Sequence, residues 1–281
     1  ALFGLSEEEL RALGYRVVDQ IVEHHCSIES KPVSRQGAWE DLERELRVPF
    51  QEEGEKPEQL LDAVLNQVLC RSMLSNHPRF LGFVPSPANP VSAFIEALVA
   101  AYNPFMGAWC EASGPTMVEL NVLDWVGELI GFSSDSGGQI TSGGTAANLI
   151  GLACARHHHF PDGSFEQGRV YLSAHTHCSI SRNLGILGFR PDQIQTVDVD
   201  RQGRMRVDLL GPTLTRDKRK GLKPFCCIAT AGTTNTGAVD PLSDLAKLCE
   251  QEGLWLHVDA AFGGASLLTE EGKELLQGIE R

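Results

Sequence analysis

Apolar positions change their spacing once along this chain. In the first stretch they recur with the period of a helix: Leu10, Leu13, Val17, Ile21 and Val22 share one helical face, and Ser6 stands three residues before Glu9 as in a capping box. A polar connection punctuated by proline and glycine covers 30–57, and a second amphipathic helix is expected over 58–74. These helices are suited to pack on each other or on a partner subunit. Residues 76–87 hold too many prolines for a central strand, and helices are expected at 91–102 and 116–130. From Gly138 short apolar runs alternate with helical segments; the runs are 139–141, 170–173, 196–199, 225–230 and 254–259. Alternation of this kind predicts an α/β domain with a mostly parallel sheet and helices on its faces. Ligands of such sheets gather at the carboxyl ends of the strands.

Composition narrows the reading. With 42% hydrophobic and 22% charged residues, the chain is able to bury a sizeable core and does not read as disordered. A net charge of -13 argues against nucleic-acid or anionic-membrane partners, which require a positive surface. The run Arg216-Asp217-Lys218-Arg219-Lys220 reads as a solvated loop. The most apolar stretch, 89–109, is interrupted by Glu96 and by Asn103-Pro104, which fits a buried or interface helix better than a membrane span. None of the eight cysteines forms a C-x-x-C pair, so no metal site is expected. A reduced, cytoplasmic protein without a signal peptide is the expectation.

Four motifs carry chemistry, and each follows an expected strand. In Thr141-Ser142-Gly143-Gly144-Thr145-Ala146-Ala147-Asn148, the glycines allow close backbone approach and the helix that follows offers free N–H groups to an anion. The same run also suits an ordinary glycine-rich turn. In His257-Val258-Asp259-Ala260-Ala261, an acid ends an apolar strand. A buried carboxylate there needs a cationic or hydrogen-bonding partner, and a protonated pyridine nitrogen would serve; capping of the next segment is the alternative. Ser173-Ala174-His175-Thr176-His177 presents a histidine to a ring or a substrate carboxylate, or only to its own loop. Ala231-Gly232-Thr233-Thr234-Asn235-Thr236-Gly237 either lines a pocket or forms a polar turn. His157-His158-His159 lies at a helix end, where it suits the dipole better than a metal.

In this order, and together with the stretches 76–85 and 113–125, the motifs resemble the group II pyridoxal-phosphate-dependent amino-acid decarboxylases. The family includes aromatic-amino-acid, histidine and glutamate decarboxylases. The resemblance implies the fold type I, PLP-dependent transferase-like large domain (76–281) behind an N-terminal helical dimerisation segment (1–75). It implies pyridoxal 5'-phosphate as cofactor, an amino-acid substrate and a homodimer. It assigns Gly143, Gly144 and Thr145 to the phosphate, and His177 to stacking on the pyridine ring. Asp259 becomes the partner of the ring nitrogen, and Ala261 the contact on the other ring face. Thr233 lies beside the cofactor, and Phe83 and Pro85 in the substrate pocket. His177 and Asp259 are the catalytic residues so implied.

The family's cofactor lysine follows the Val-Asp-Ala-Ala motif in a His-Lys pair, and none of the lysines here, Lys273 included, has that context. The expectation is therefore that the 281 residues belong to a longer protein, that the small C-terminal domain is absent from this chain, and that these residues alone are inactive and poorly stable. Phe80, Phe83 and Trp109 suit an aromatic or apolar substrate side chain, or equally a core, with Arg79 keeping an acidic amino acid open. Oxidative deamination, a carbon–carbon lyase activity and a non-catalytic truncated form acting through a partner are the other readings.

Overall fold

The computed structural model describes residues 4–50, 52–84 and 86–281. The chain divides into two compact units, Ala1–Phe105 and Met106–Arg281.

Helix α1, Glu7–Cys26, opens the first unit with the capping box read from the sequence. The Glu9 N–H donates to Ser6 Oγ at 3.2 Å, and the Ser6 N–H donates to Glu9 Oε2 at 2.7 Å. Acidic residues in its first turn and His24 and His25 in its last complement the helix dipole. The connection expected at 30–57 is not wholly irregular, because Trp39–Leu46 forms a short helix, α2. Its three apolar residues are diluted among charges that pair along the helix, Arg44 with Asp41 and Arg47 with Glu43, so the sequence reads as polar loop. Helix α3, Pro57–Ala63, continues as a wider turn over Val64–Val68 and a tighter one over Leu69–Arg71. Helix α4, Pro90–Tyr102, is capped by Asn89 and stopped by left-handed Asn103. Among the described residues of this unit, only Ile28 and His77 are buried, whereas Tyr15, Val18, Val22, Leu60 and Leu69 are exposed.

The second unit begins with helix α5, Trp109–Ile130. It breaks at Ala112 just before Pro115 and ends at left-handed Gly131. Then follow helix α6 (Gly144–His159), strand β1 (Gly168–Ser173), helix α7 (Cys178–Ile186), strand β2 (Ile194–Val197), helix α8 (Val207–Arg219), strand β3 (Lys223–Thr230), helix α9 (Leu242–Glu252), strand β4 (Trp255–Asp259) and helix α10 (Glu270–Leu275). The four strands form a wholly parallel sheet in the order β2-β1-β3-β4.

Alternation along the strands distributes their side chains between two cores. Tyr171, Cys227, Ala229, Leu256 and Val258 face Leu210 and Leu214 of α8 and Leu242, Leu245 and Cys249 of α9. Val170, Leu172, Cys226 and Ile228 face Leu152 and Ala155 of α6 and Ile180 and Leu184 of α7. With both faces covered, the strands read as continuous apolar runs.

Two expectations are corrected in this unit. Residues 139–141 join no ladder among the described residues; the Ile140 N–H points instead to Glu119 Oε1 at 3.4 Å. An apolar run becomes a strand only where a neighbour accepts its backbone groups, and that partner is not encoded locally. The basic run is not a loop. Arg216, Lys218 and Arg219 form the last turn of α8, where cations oppose the dipole, with Arg216 on Asp217 and Lys218 on Glu252.

Candidate active site

Parallel pairing brings Thr230 of β3 level with Asp259 of β4, so the turns after these strands emerge at one end of the sheet. The start of α6 lies at the same end. A Cβ added to Gly144 would stand 3.5 Å from the Cβ of Ala261, which puts the glycine turn directly against the turn after β4. No side chain caps α6, although Ser6, Asn89, His177 and Thr269 cap other helices. The first N–H groups of a 16-residue helix are thus free of a capping side chain beside exposed Gly143, Gly144 and Thr145.

Asp259 is 8% exposed. Its Oδ1 accepts the Ala261 N–H at 3.2 Å and its Oδ2 accepts from Asn148 Nδ2 at 3.1 Å. Both donors are neutral. The second is a residue to which the sequence reading attached no role. A signal for it existed: Asn148, Leu152 and Ala155 are the buried residues of α6, spaced as one inward stripe, and a polar member of such a stripe needs a partner. His257, two residues before Asp259 and on the same strand face, places Nε2 2.8 Å from Asn148 Oδ1. Burial pushes its imidazole below its usual range, with the Asp259 charge opposing.

The glycine-rich loop after β3 also meets the turn after β4. Gly232, at φ 94°, would carry its Cβ to 3.0 Å from the Gly263 nitrogen, and the Gly263 N–H donates to the Ala231 carbonyl at 2.9 Å. Thr233 is buried. Its hydroxyl lies 2.7 Å from that of Thr236 and accepts the Ala238 N–H at 3.2 Å, so it closes its own loop. Buried Asp240 anchors the loop's far side by accepting the N–H groups of Thr230 and Met205 at 2.8 and 2.6 Å. Burial raises its carboxyl above the usual range, and those two N–H groups oppose the shift.

His177 is exposed and caps α7. Its Nδ1 lies 2.8 Å from Ser179 Oγ and accepts the Ser179 N–H at 3.3 Å. Helix α7 is held to the start of α6 by Asn183 Nδ2, which donates to the Thr145 carbonyl at 2.8 Å. Phe83 belongs to the first unit, is exposed and takes a left-handed backbone at φ 59°. Pro85 lies outside the described residues. No cluster of metal-ligating side chains occurs among the described residues, and no helix among them is long and apolar enough to cross a membrane.

These features define an α/β protein with an anion-ready helix terminus beside a buried acid at the carboxyl end of a parallel sheet. Residues 40–281 match the family model "Pyridoxal-dependent decarboxylase conserved domain", and the chain belongs to that family. It is 40% identical over 277 residues to an aromatic-L-amino-acid decarboxylase from Bacillus atrophaeus, a match covering 99% of this chain and 58% of the relative. It is 31% identical over 281 residues to a cysteine sulfinic acid decarboxylase from Homo sapiens, covering 98% of this chain and 56% of the relative. The crystal structure of mouse CSAD in apo form superposes with a TM-score of 0.88 at 29% identity, covering 98% of this chain and 60% of that one. The chain thus spans somewhat over half the length of the curated relatives it matches.

Proposed function

We propose that the full-length protein decarboxylates an L-amino acid, with an aromatic side chain favoured, to the corresponding amine and carbon dioxide, using pyridoxal 5'-phosphate. The observation that carries this reading is the buried Asp259 carboxylate, held by neutral donors only a turn of chain from the uncapped start of α6. The cofactor fits this donor set. A phosphate dianion suits the N–H groups at Gly143, Gly144 and Thr145, and a protonated ring nitrogen offers Asp259 the cation its burial calls for. Bound there, the cofactor supplies a ring able to take up the electron pair left when carbon dioxide departs.

Within this part of the protein, the residues divide the work as follows. Asp259 holds a proton on the ring nitrogen. Ala261 is small enough to leave room on one face of the ring. His177 would lie against the other; with Nδ1 engaged by Ser179, its Nε2 is the atom available to a substrate carboxylate. Thr233 shapes the wall of the pocket through its loop rather than through a free hydroxyl. Phe83 and Pro85 are assigned to substrate binding by the resemblance alone. The left-handed backbone of Phe83 costs about 1–2 kcal/mol, and strain of that kind concentrates at functional sites.

Aromatic specificity draws support from the Bacillus relative. A second reading, an acidic amino acid, draws support from the human relative and the mouse structure. Carbon dioxide release from L-tryptophan, L-tyrosine and L-phenylalanine, set against L-glutamate, L-aspartate and cysteine sulfinate, decides between them. A higher kcat/KM on the aromatic set is expected. Preference for the acidic set would favour the second reading, and no turnover with either set, together with no binding of pyridoxal phosphate, would reject both. Asp259→Asn is expected to weaken cofactor binding about tenfold to a hundredfold, since a hydrogen bond to a charged group is lost.

The same reading makes the helices of 1–75 a homodimer interface. Their exposed apolar side chains, set against two buried residues among the described residues of the first unit, support this. Sedimentation of the whole protein at twice its chain mass is the expected result. Residence in the cytoplasm completes the reading, supported by eight free cysteines.

A further inference from the structure

We propose that Asn148 is a positioning residue whose carboxamide orients the Asp259 carboxylate and fixes the tautomer of His257, so that α6 sets the cofactor's ring-nitrogen partner as well as its phosphate. This rests on the function proposed above.

The hydrogen-bonding capacities of the three groups leave one arrangement. An ionised carboxylate only accepts, so the Asn148 edge that faces Asp259 at 3.1 Å must be the NH2 group. Oδ1 then faces His257 Nε2 at 2.8 Å, and because Oδ1 only accepts, Nε2 must carry the proton. Turning the amide over would set oxygen against carboxylate and leave the imidazole without its acceptor. His257 has little freedom to move away: a Cβ on Gly151 of α6 would meet its Nδ1 at 2.9 Å and its Cε1 at 2.8 Å, so the ring lies flush against the helix backbone. Asn148 is itself 6% exposed and sits one helical turn past Gly144. A polar side chain in that buried stripe is costly unless satisfied, and these two bonds satisfy it at both ends. The Ala261 N–H holds the other carboxylate oxygen, so Asp259 is fixed from the helix on one side and from its own turn on the other.

Two measurements on the whole protein test this. The first needs no variant and no cofactor: the ring 15N shifts of His257 at neutral pH. A neutral imidazole protonated at Nε2 is expected, and protonation at Nδ1, or at both nitrogens, would overturn the proposal. The second compares wild type with Asn148→Leu, after circular dichroism has shown that the variant folds, by titration with pyridoxal 5'-phosphate carrying a 15N-labelled ring. Expected are binding about tenfold weaker and a ring-nitrogen shift moved away from the protonated position. Wild-type affinity with an unmoved ring-nitrogen shift in the variant would overturn the inference and leave the proposed function standing. Failure of the wild type to bind the cofactor would overturn both.

Discussion

At His257 burial works against the charged imidazole and lowers its proton affinity in the folded state. The unfolded chain, with an imidazole near 6.5, binds the proton more readily. The stability contributed by the neutral, Asn148-bonded form is therefore present above about pH 6.5 and is lost as the pH falls through the lower folded value. We expect the urea midpoint of the wild type to drop between about pH 7 and pH 5. His257→Gln should flatten that dependence; identical slopes for the two proteins would show that another group is responsible. At this scale the sequence draws attention to residue types with few uses, such as an acid at the end of an apolar strand, Asp259, and paired glycines before a helix, Gly143-Gly144. Asn148 showed only as a polar member of a helical stripe; its partners lie 109 and 111 positions away, and no local spacing names them.

Among the elements, the turn after β4 carries a close steric demand beside the site. A Cβ on Gly263 would overlap the Ala231 carbonyl that accepts its N–H, forcing this turn off the loop that contains Thr233. Gly263→Ala is expected to destabilise the second unit by about 1–3 kcal/mol in denaturant melts and to weaken cofactor binding with it. Gly127 offers the opposite test. It lies within α5, is followed by Glu128 and has nothing within 4 Å of an added Cβ, so Gly127→Ala should stabilise by about 0.5–1 kcal/mol. Unchanged stability in both variants would mean that the backbone at these turns is more accommodating than its contacts require. Elements with local signals were read well: α1 through its capping box, and β1, β3 and β4 through their apolar runs. Helix α2 was hidden because it is only two turns long: Trp39, Leu42 and Leu46 lie on one face, but so short a run does not stand out from the charges around it.

Over the whole molecule the two units differ in how they are held. The second has a layered core on each face of its sheet, and Leu210, fully buried between α8 and the strands, is central to one of them. Leu210→Ala should lower unfolding free energy by about 2–5 kcal/mol in a urea titration; a loss below about 1 kcal/mol would show that this core collapses around the cavity. The first unit keeps most of its apolar side chains at the surface. Local pattern was enough for α1 and α4 and for the apolar strands β1, β3 and β4, because period and turn chemistry are properties of neighbouring residues. Strand pairing was not. The tertiary structure decided that β4 pairs with β3 at Thr230–Asp259, that 139–141 joins no ladder among the described residues, and that Trp255, His257 and Asp259 share a strand face, with Asn148 of α6 reaching the last two. Each of these depends on which distant segment satisfies a backbone or side-chain hydrogen bond, and no spacing along a single chain encodes that choice.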